Sequence, residues 1–483
     1  MATLLQPDIC VIGAGSGGLV VASAAASFGV DVVLIEKGKM GGDCLNYGCV
    51  PSKALIAAGK HAQYIREAPQ FGVTVAGKEA AQPKANFKQV HNHVHSVIDT
   101  IAPMDSVERF EALGVHVIQA AGRFIDKKTV TAGEYVIKPR RFVIATGSAP
   151  FVPPIEGLQT VKYHTNETIF ERTTNPGHLL VIGGGPIGLE MAQAHHRLGA
   201  KVTVIEGLKA LGKDDPELAA IVLEKIRGEG IEIKEETTVM RVEKIDEGKS
   251  GKIRLHLEAQ GKSETVDGDT LLVATGRAPT INGLDLEKAK IKHTRRGIKV
   301  NRKMRTSNSR VYAIGDVAGS LQFTHMAGYH AGLVIRAILF RLNAKENTHI
   351  IPWCTYTDPE LAHVGHTEES ARAKFRNIQI LRWPYAENDR AQAEKKTTGL
   401  IKIIARKDGS IEGVSIAGAM AGEMMNMWAL VISQNLKLKD IAGYVAPYPT
   451  MSEIGKRAAT SFYAPATKKP FVRWLVRFLA KFG

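Results

Sequence analysis

At 483 residues, 44% hydrophobic and 23% charged, the chain has the make-up of a globular protein with room for two or three cores. Four cysteines, Cys10, Cys44, Cys49 and Cys354, are too few for a disulfide-stapled secreted scaffold and fit a cytoplasmic protein. A net charge of +15 calls for anionic partners, but no zinc-finger spacing or RNA-binding aromatic motif argues for nucleic acid.

The residues before Pro7 lack the basic start of a signal peptide, and the apolar run Ile9 to Val33 is broken by glycines and Asp31, so it reads as strand-helix-strand and not as a membrane span. Asp8-Ile-Cys-Val-Ile12 predicts a strand. It enters Gly13-Ala-Gly15-Ser-Gly-Gly18, then an alanine-rich helix over Leu19 to Phe28, then a strand from Val30 that ends in Glu36. Glycines allow the tight turn and close approach to a pyrophosphate, the helix start offers unpaired N–H groups, and Glu36 suits ribose hydroxyls.

Cys44 and Cys49 follow in a glycine-rich loop. Pro51 suits the first turn of a helix over Ala54 to Ile65, so Cys49 is expected at the helix start, where the dipole and Lys53 favour a thiolate. Cys44, in the preceding loop, is expected to be the more open to substrate. A zinc half-site would need two further ligands, and Cys10 lies in a strand while Cys354 is about 300 residues away. We assign no metal ligands. His91, His93 and His95 fall in a pattern from Phe87 to Ile101 that reads as a helix; His91 and His95 then share a face, His93 does not, and all three read as solvated.

The first pattern recurs. Leu179 to Ile182 is a strand, Gly183-Gly-Gly185-Pro-Ile-Gly188 the turn, a helix starts near Leu189, and the strand Lys201 to Ile205 ends in Glu206. Residues 13 to 36 and 183 to 206 have the same spacing, and two matched copies in full strand-turn-helix context are a specific signal for two dinucleotides. Glu206 favours NAD over NADP, with NADP the alternative because Lys209 is near. At the C-terminal end Arg473, Arg477 and Lys481 recur every four residues among Trp474, Leu475, Phe478, Leu479 and Phe482. This is the composition of an interfacial helix, too short to span a bilayer, or of one docked on the protein itself.

The run Gly41-Gly-Asp-Cys-Leu-Asn-Tyr-Gly-Cys-Val-Pro-Ser-Lys53 resembles the active-site motif of the class I pyridine nucleotide-disulfide oxidoreductases, which include mercuric reductase, dihydrolipoamide dehydrogenase and glutathione reductase. Ile144-Ala-Thr-Gly-Ser148 and Val273-Ala-Thr-Gly-Arg277 resemble the crossings between their FAD and NAD domains. Tyr312-Ala-Ile-Gly-Asp316 resembles their second FAD motif, and Pro449-Thr-Met-Ser-Glu453 their dimer-interface motif. The resemblance implies an α/β protein of two Rossmann-like dinucleotide-binding domains, for FAD and NAD, plus an α+β dimerisation domain. FAD would use residues 1–150 and 277–347, NAD(P) residues 151–276 and the homodimer residues 348–467, with a basic amphipathic tail at 468–483. It implies a redox disulfide Cys44–Cys49 and a Lys53–Glu190 pair near the flavin. Gly13, Gly15, Gly18, Glu36, Gly42, Lys53, Thr146, Gly147 and Asp316 would serve FAD, and Gly183, Gly185, Gly188, Glu206 and Gly276 the nicotinamide cofactor. A bland reading of Glu190 is a first-turn acid that complements the helix dipole.

The chain departs from the family at Tyr448. The dehydrogenase and glutathione reductase branches have a histidine there, which pairs with the glutamate five residues on, here Glu453. Histidine titrates near pH ~6.5 and tyrosine near ~10, so Tyr448 is a poor proton shuttle. Tyrosine here, and Asp389-Arg-Ala391, resemble mercuric reductase, but no cysteine follows Cys354 to match its C-terminal pair. The expectation is electron transfer from NADH through FAD and Cys44–Cys49 to a thiol-exchange disulfide, small or protein-bound, or to a metal-type substrate. The alternatives are a dehydrogenase passing dithiol electrons to NAD, a quinone reductase held peripherally at a membrane, or a non-catalytic flavoprotein subunit.

Overall fold

The computed structural model describes residues 2–74, 83–245 and 251–482. It divides into two compact units, Met1–Gly207 with Glu236–Asn347, and Leu208–Glu235 with Thr348–Gly483.

The first unit is built on parallel strands whose residues are apolar on both faces, as a sheet covered on both sides requires. Five run in the order Val311–Ala313, Arg141–Ile144, Ile9–Ile12, Val32–Glu36, Val115–Gln119. Ile9 pairs with Val32 and Ile12 with Ile35, so both fingerprint strands end level with the glycine turn. The first fingerprint helix, Ser16–Ser27, packs beside Thr324–Leu339 on one face. Leu34, Val143 and Val334 are fully buried there, each contributing roughly 1.5–3 kcal/mol by leaving water. A second parallel set repeats the plan, in the order Tyr163–His164, Thr270–Val273, His178–Ile182, Lys201–Ile205. Both fingerprint helices start earlier than the periodicity predicts, at Ser16 and Pro186, because the last glycines of each turn already form the first helical turn.

The cysteine helix, Cys49–Glu67, packs against the second fingerprint helix, Pro186–Arg197. Gly59 makes this approach close: a Cβ there would stand 3.2 Å from the Ala194 carbonyl oxygen. Arg66 Nη2 donates to the Arg197 carbonyl at 2.8 Å and satisfies one of the last carbonyls of that helix.

The second unit is antiparallel, in the order Trp353–Thr355, Glu360–Gly365, Ile411–Gly418, Leu400–Arg406, Ile378–Pro384. Helices Ala421–Ser433 and Glu453–Ser461 cover it, and Trp428 and Ile454 are buried between sheet and helices. Residues Leu208–Glu235 are grouped with this unit. The buried Lys402 explains the grouping: its Nζ lies 2.8 Å from Asp215, 3.0 Å from Glu217 and 2.6 Å from Glu368. Asp215 also caps the helix Pro216–Gly228 by accepting from the Glu217 N–H.

The tail forms the helix Pro470–Leu479, and none of its residues is buried. The rings of Phe471, Trp474, Phe478 and Phe482 follow one another at 5.9, 5.6 and 5.1 Å between centroids. No helix among the described residues is long and apolar enough to cross a membrane.

Candidate active site

Two glycine turns face the ends of the parallel strands. Gly13 and Gly183 have φ of +106° and +116°, and a Cβ on either would stand 2.4 Å from a carbonyl oxygen, of Ala145 or Ala274. Gly18 and Gly188 allow closer packing still, with a Cβ 1.9 Å from the oxygens of Gly13 and Gly183. A Cβ on Gly42 would meet the Gly15 Cα at 2.7 Å, so the cysteine loop lies against the first turn. Gly147, Gly185 and Gly276 have nothing within 4 Å of a Cβ position. The fingerprint helices are capped by Gly15 and Gly185 without a side-chain hydrogen bond, leaving their first N–H groups for an anion. Glu36 Oε2 accepts from the Ala14 N–H at 2.6 Å, and Glu206 Oε2 accepts from the Gly184 N–H at 2.7 Å. These features fit two dinucleotides, FAD at the first turn and NAD(P)H at the second.

Arg277 joins the two crossings, a role that sequence reasoning missed. Its Nε donates to Ser148 Oγ at 2.7 Å, and its Nη2 to the Ser148 carbonyl at 2.7 Å and to Asp43 at 3.1 Å. Ser148 Oγ in turn donates to Asp316 Oδ2 at 2.5 Å. Burial pushes the Asp316 carboxyl above its ordinary value, against the pull of Ser148 and Arg277. Thr146 donates its hydroxyl to the Thr280 carbonyl at 2.7 Å, which ties down the strand end beside Gly147.

Cys44 lies in a short helix, Gly42–Asn46, and Cys49 opens its helix behind Gly48. By whole residue, Cys49 is exposed and Cys44 is half-buried. The pair is a dithiol that shares a hydrogen bond, so one thiol holds the charge and the other the proton. The Cys44 thiol, Thr324 and Lys53 hold Cys49 down, from 9.0 to about 6. The same bond and burial push Cys44 up. Thr324, first residue of its helix, brings Oγ1 to 3.5 Å from Cys49 Sγ. No local sequence signal marks it.

One turn along the cysteine helix, Lys53 Nζ meets Glu190 Oε2 at 2.9 Å, with the Glu190 side chain 6% exposed. Glu190 is the fifth residue of its helix, beyond the first turn, so the dipole reading does not apply. Cys10 is buried inside its strand, and burial raises its thiol.

Tyr448 and Glu453 lie in the second unit. Tyr448 is 69% exposed, and its hydroxyl donates to Asp389 Oδ2 at 2.9 Å, not to Glu453. Asp389 thereby pushes the phenol above its ordinary value. Glu453 Oε2 accepts from the Thr450 N–H at 3.4 Å, and Asn388 donates to the Thr450 carbonyl at 3.0 Å, fixing the loop before Glu453 to the Asp389 segment.

The family model described as "Pyridine nucleotide-disulphide oxidoreductase" matches residues 7–331, and that of its dimerisation domain matches residues 351–459. A mercuric reductase of Lysinibacillus sphaericus is 32% identical over 94% of this chain and 82% of its own length. A dihydrolipoyl dehydrogenase of Geobacillus stearothermophilus is 32% identical over 94% of this chain and 96% of its own. Among solved structures, the Cu(II) complex of the HOCl-induced flavoprotein disulfide reductase RclA from Escherichia coli superposes with a TM-score of 0.81 at 26% identity, covering 93% of this chain and 98% of that one. This chain, an oxidoreductase built for FAD and NAD(P)H, therefore belongs to the pyridine nucleotide-disulphide oxidoreductases.

Proposed function

We propose that the protein takes two electrons from NADH and delivers them, through Cys44 and Cys49, to a disulfide or a thiophilic metal ion. The asymmetric thiol pair beside Lys53–Glu190 carries this reading. FAD, when bound, supplies the two-electron relay between nicotinamide and dithiol. Gly13, Gly15, Gly18, Glu36, Gly42, Thr146, Gly147 and Asp316 would hold it, and Gly183, Gly185, Gly188, Glu206 and Gly276 would hold NADH.

For a disulfide substrate, the proton shared by the pair passes to Cys49, so that Cys44 attacks one substrate sulfur as the thiolate, and the leaving substrate thiolate takes that proton from Cys49. Cys49, again a thiolate, then attacks Cys44 in the mixed disulfide. The second substrate thiolate leaves and is protonated by solvent, and the Cys44–Cys49 disulfide reforms. The substrate has gained two electrons and two protons. A thiophilic ion would be bound by both sulfurs. Oxidation of a dithiol by NAD is the weaker reading, because Tyr448 is engaged by Asp389 and titrates too high to collect the protons. The dimerisation-domain match supports a homodimer.

The test is an anaerobic NADH titration of the holoenzyme, followed by rapid mixing with oxidised glutathione, lipoamide, Hg²⁺ and a quinone. Turnover of one disulfide or of Hg²⁺, lost in Cys44→Ser, supports the reading. Undiminished turnover in Cys44→Ser, or fast quinone reduction alone, overturns it.

The tail carries a second proposal, peripheral contact with an anionic lipid surface. Arg473 and Arg477 lie one turn apart on the helix with Lys481 just past its end, and Phe471, Trp474 and Phe478, with Phe482 beyond the helix, are exposed. Basic residues at such a surface contribute about 1 kcal/mol each. The full-length holoenzyme should sediment with anionic vesicles at low salt and lose this when residues 470–483 are removed. Equal sedimentation of both forms would refute it.

A further inference from the structure

His91 and His95 lie one turn apart on the helix Phe87–Ile101, on the same face. Their rings stand 4.0 Å apart between centroids. Opposite them is Glu171, the last residue of a short helical turn, Ile169–Glu171. Glu171 Oε2 lies 3.8 Å from His91 Nε2 and 3.5 Å from His95 Nε2. Each residue offers a ligand atom, all within 4.8 Å of one another. A tetrahedral ion with arms of about 2.0–2.1 Å holds its ligands about 3.3 Å apart, so the carboxylate is within about half an ångström of the required distance from each imidazole, and the two imidazole nitrogens, no more than 4.8 Å apart, need close by at most about 1.5 Å. A second observation is independent of this spacing. His95 Nε2 is shielded from solvent and takes part in no hydrogen bond. Such a buried, unpaired ring nitrogen costs stability unless something accepts its lone pair. In the neighbouring cation, Arg172, Nη1 lies 3.3 Å from His164 Nε2, and Nε is buried without a hydrogen bond.

We propose that His91, His95 and Glu171 bind a divalent transition ion of the Zn²⁺ class, with water as fourth ligand. Two imidazoles and a carboxylate suit a borderline ion and not Mg²⁺ or Ca²⁺, which take oxygen ligands. The ion would pin the helix Phe87–Ile101, which packs against the cysteine helix, to the turn at Ile169–Glu171. The helical reading of the three histidines holds, and two of them gain a partner that lies 76 residues beyond His95 in sequence (95 to 171).

The test is equilibrium dialysis of oxidised full-length holoenzyme against Zn²⁺, with metal counted by mass spectrometry. Oxidation to the Cys44–Cys49 disulfide removes the competing thiolates. The wild type should retain one Zn²⁺ per chain, and its Tm should rise with Zn²⁺. His95→Asn and Glu171→Gln should each weaken binding at least about tenfold and abolish the Tm rise. His93→Asn, on the exposed side of the same helix, should bind as the wild type does. No retained Zn²⁺ in the wild type, unchanged affinity in His95→Asn and Glu171→Gln, or equal loss in His93→Asn would each overturn the proposal.

Discussion

The charge on Cys49 rests first on its neighbour's proton. The Cys44 thiol donates to it, Thr324 and Lys53 add less, and together they bring Cys49 from 9.0 to about 6. At pH 7 a thiol at about 6 is about 90% thiolate, against about 1% at 9. Cys44→Ala removes the largest contribution, so the inflection of Cys49 should move up by at least about one unit, a tenfold change in the protonation equilibrium. Cys44→Ser keeps an O–H donor and should move it less, and Lys53→Met should also move it less. The assay is alkylation of the reduced holoenzyme by iodoacetamide under argon between about pH 5 and pH 9, with Cys49 followed by peptide mass. Reactivity rises as pH climbs through the inflection, because the thiolate is the nucleophile. An inflection still near 6 in Cys44→Ala would show that the helix N-terminus sets the charge and that the shared hydrogen bond does not.

Rapid mixing should show faster reduction of the holoenzyme by NADH than by NADPH, and Glu206→Gln should narrow the gap; a native preference for NADPH would show that the carboxylate does not decide. Tyr448→His should raise dihydrolipoamide oxidation, within the roughly 10²–10⁴-fold that general acid–base help supplies, provided Asp389 or Glu453 orients the ring. Asp389→Asn should lower the phenol inflection of Tyr448 in an ultraviolet titration, and an unmoved inflection would discount the hydrogen bond. Lys402→Met leaves the buried Asp215 without its cation, while Glu217 and Glu368 keep Arg382, and should destabilise the second unit by about 3–5 kcal/mol, seen as a lower Tm; an unchanged Tm would refute the buried cluster. Glu217 is held down to about 2, first by Arg382 and then by Lys402. Its contribution is therefore complete above the ordinary carboxylate range and is lost as pH falls towards 2.

What the sequence made legible was local. Strand, turn, helix and acid recur at matched spacing, so both dinucleotide folds could be read from residues 13 to 36 and 183 to 206. The helix of Cys49 was legible from Pro51. The Lys53–Glu190 pair, 137 residues apart, came from resemblance alone, since periodicity carries no information about which helices meet. Arg277, Thr324 and Glu171 were out of reach for the same reason. Each acts on a distant segment, and its own neighbours show nothing unusual. The grouping of Leu208–Glu235 with the second unit was hidden because Lys402 reads as an ordinary charge in a strand until its three partners are in place.

The twin carboxylates Glu36 and Glu206 bear on how easily cofactor choice can change. Each spends one oxygen on an amide of its own glycine turn, at Ala14 and at Gly184. Under the proposed preference for NADH, the residue that would discriminate between nicotinamide cofactors is also the latch of its own glycine turn. Replacing Glu206 by a small or basic residue to admit a 2′-phosphate would free the Gly184 N–H and slacken the turn. Preference and loop order are inherited together, and a route to NADPH must pass through a side chain that still reaches Gly184. The same coupling at Glu36 means that a substitution there would be felt in the first glycine turn as well as in the proposed ribose contact.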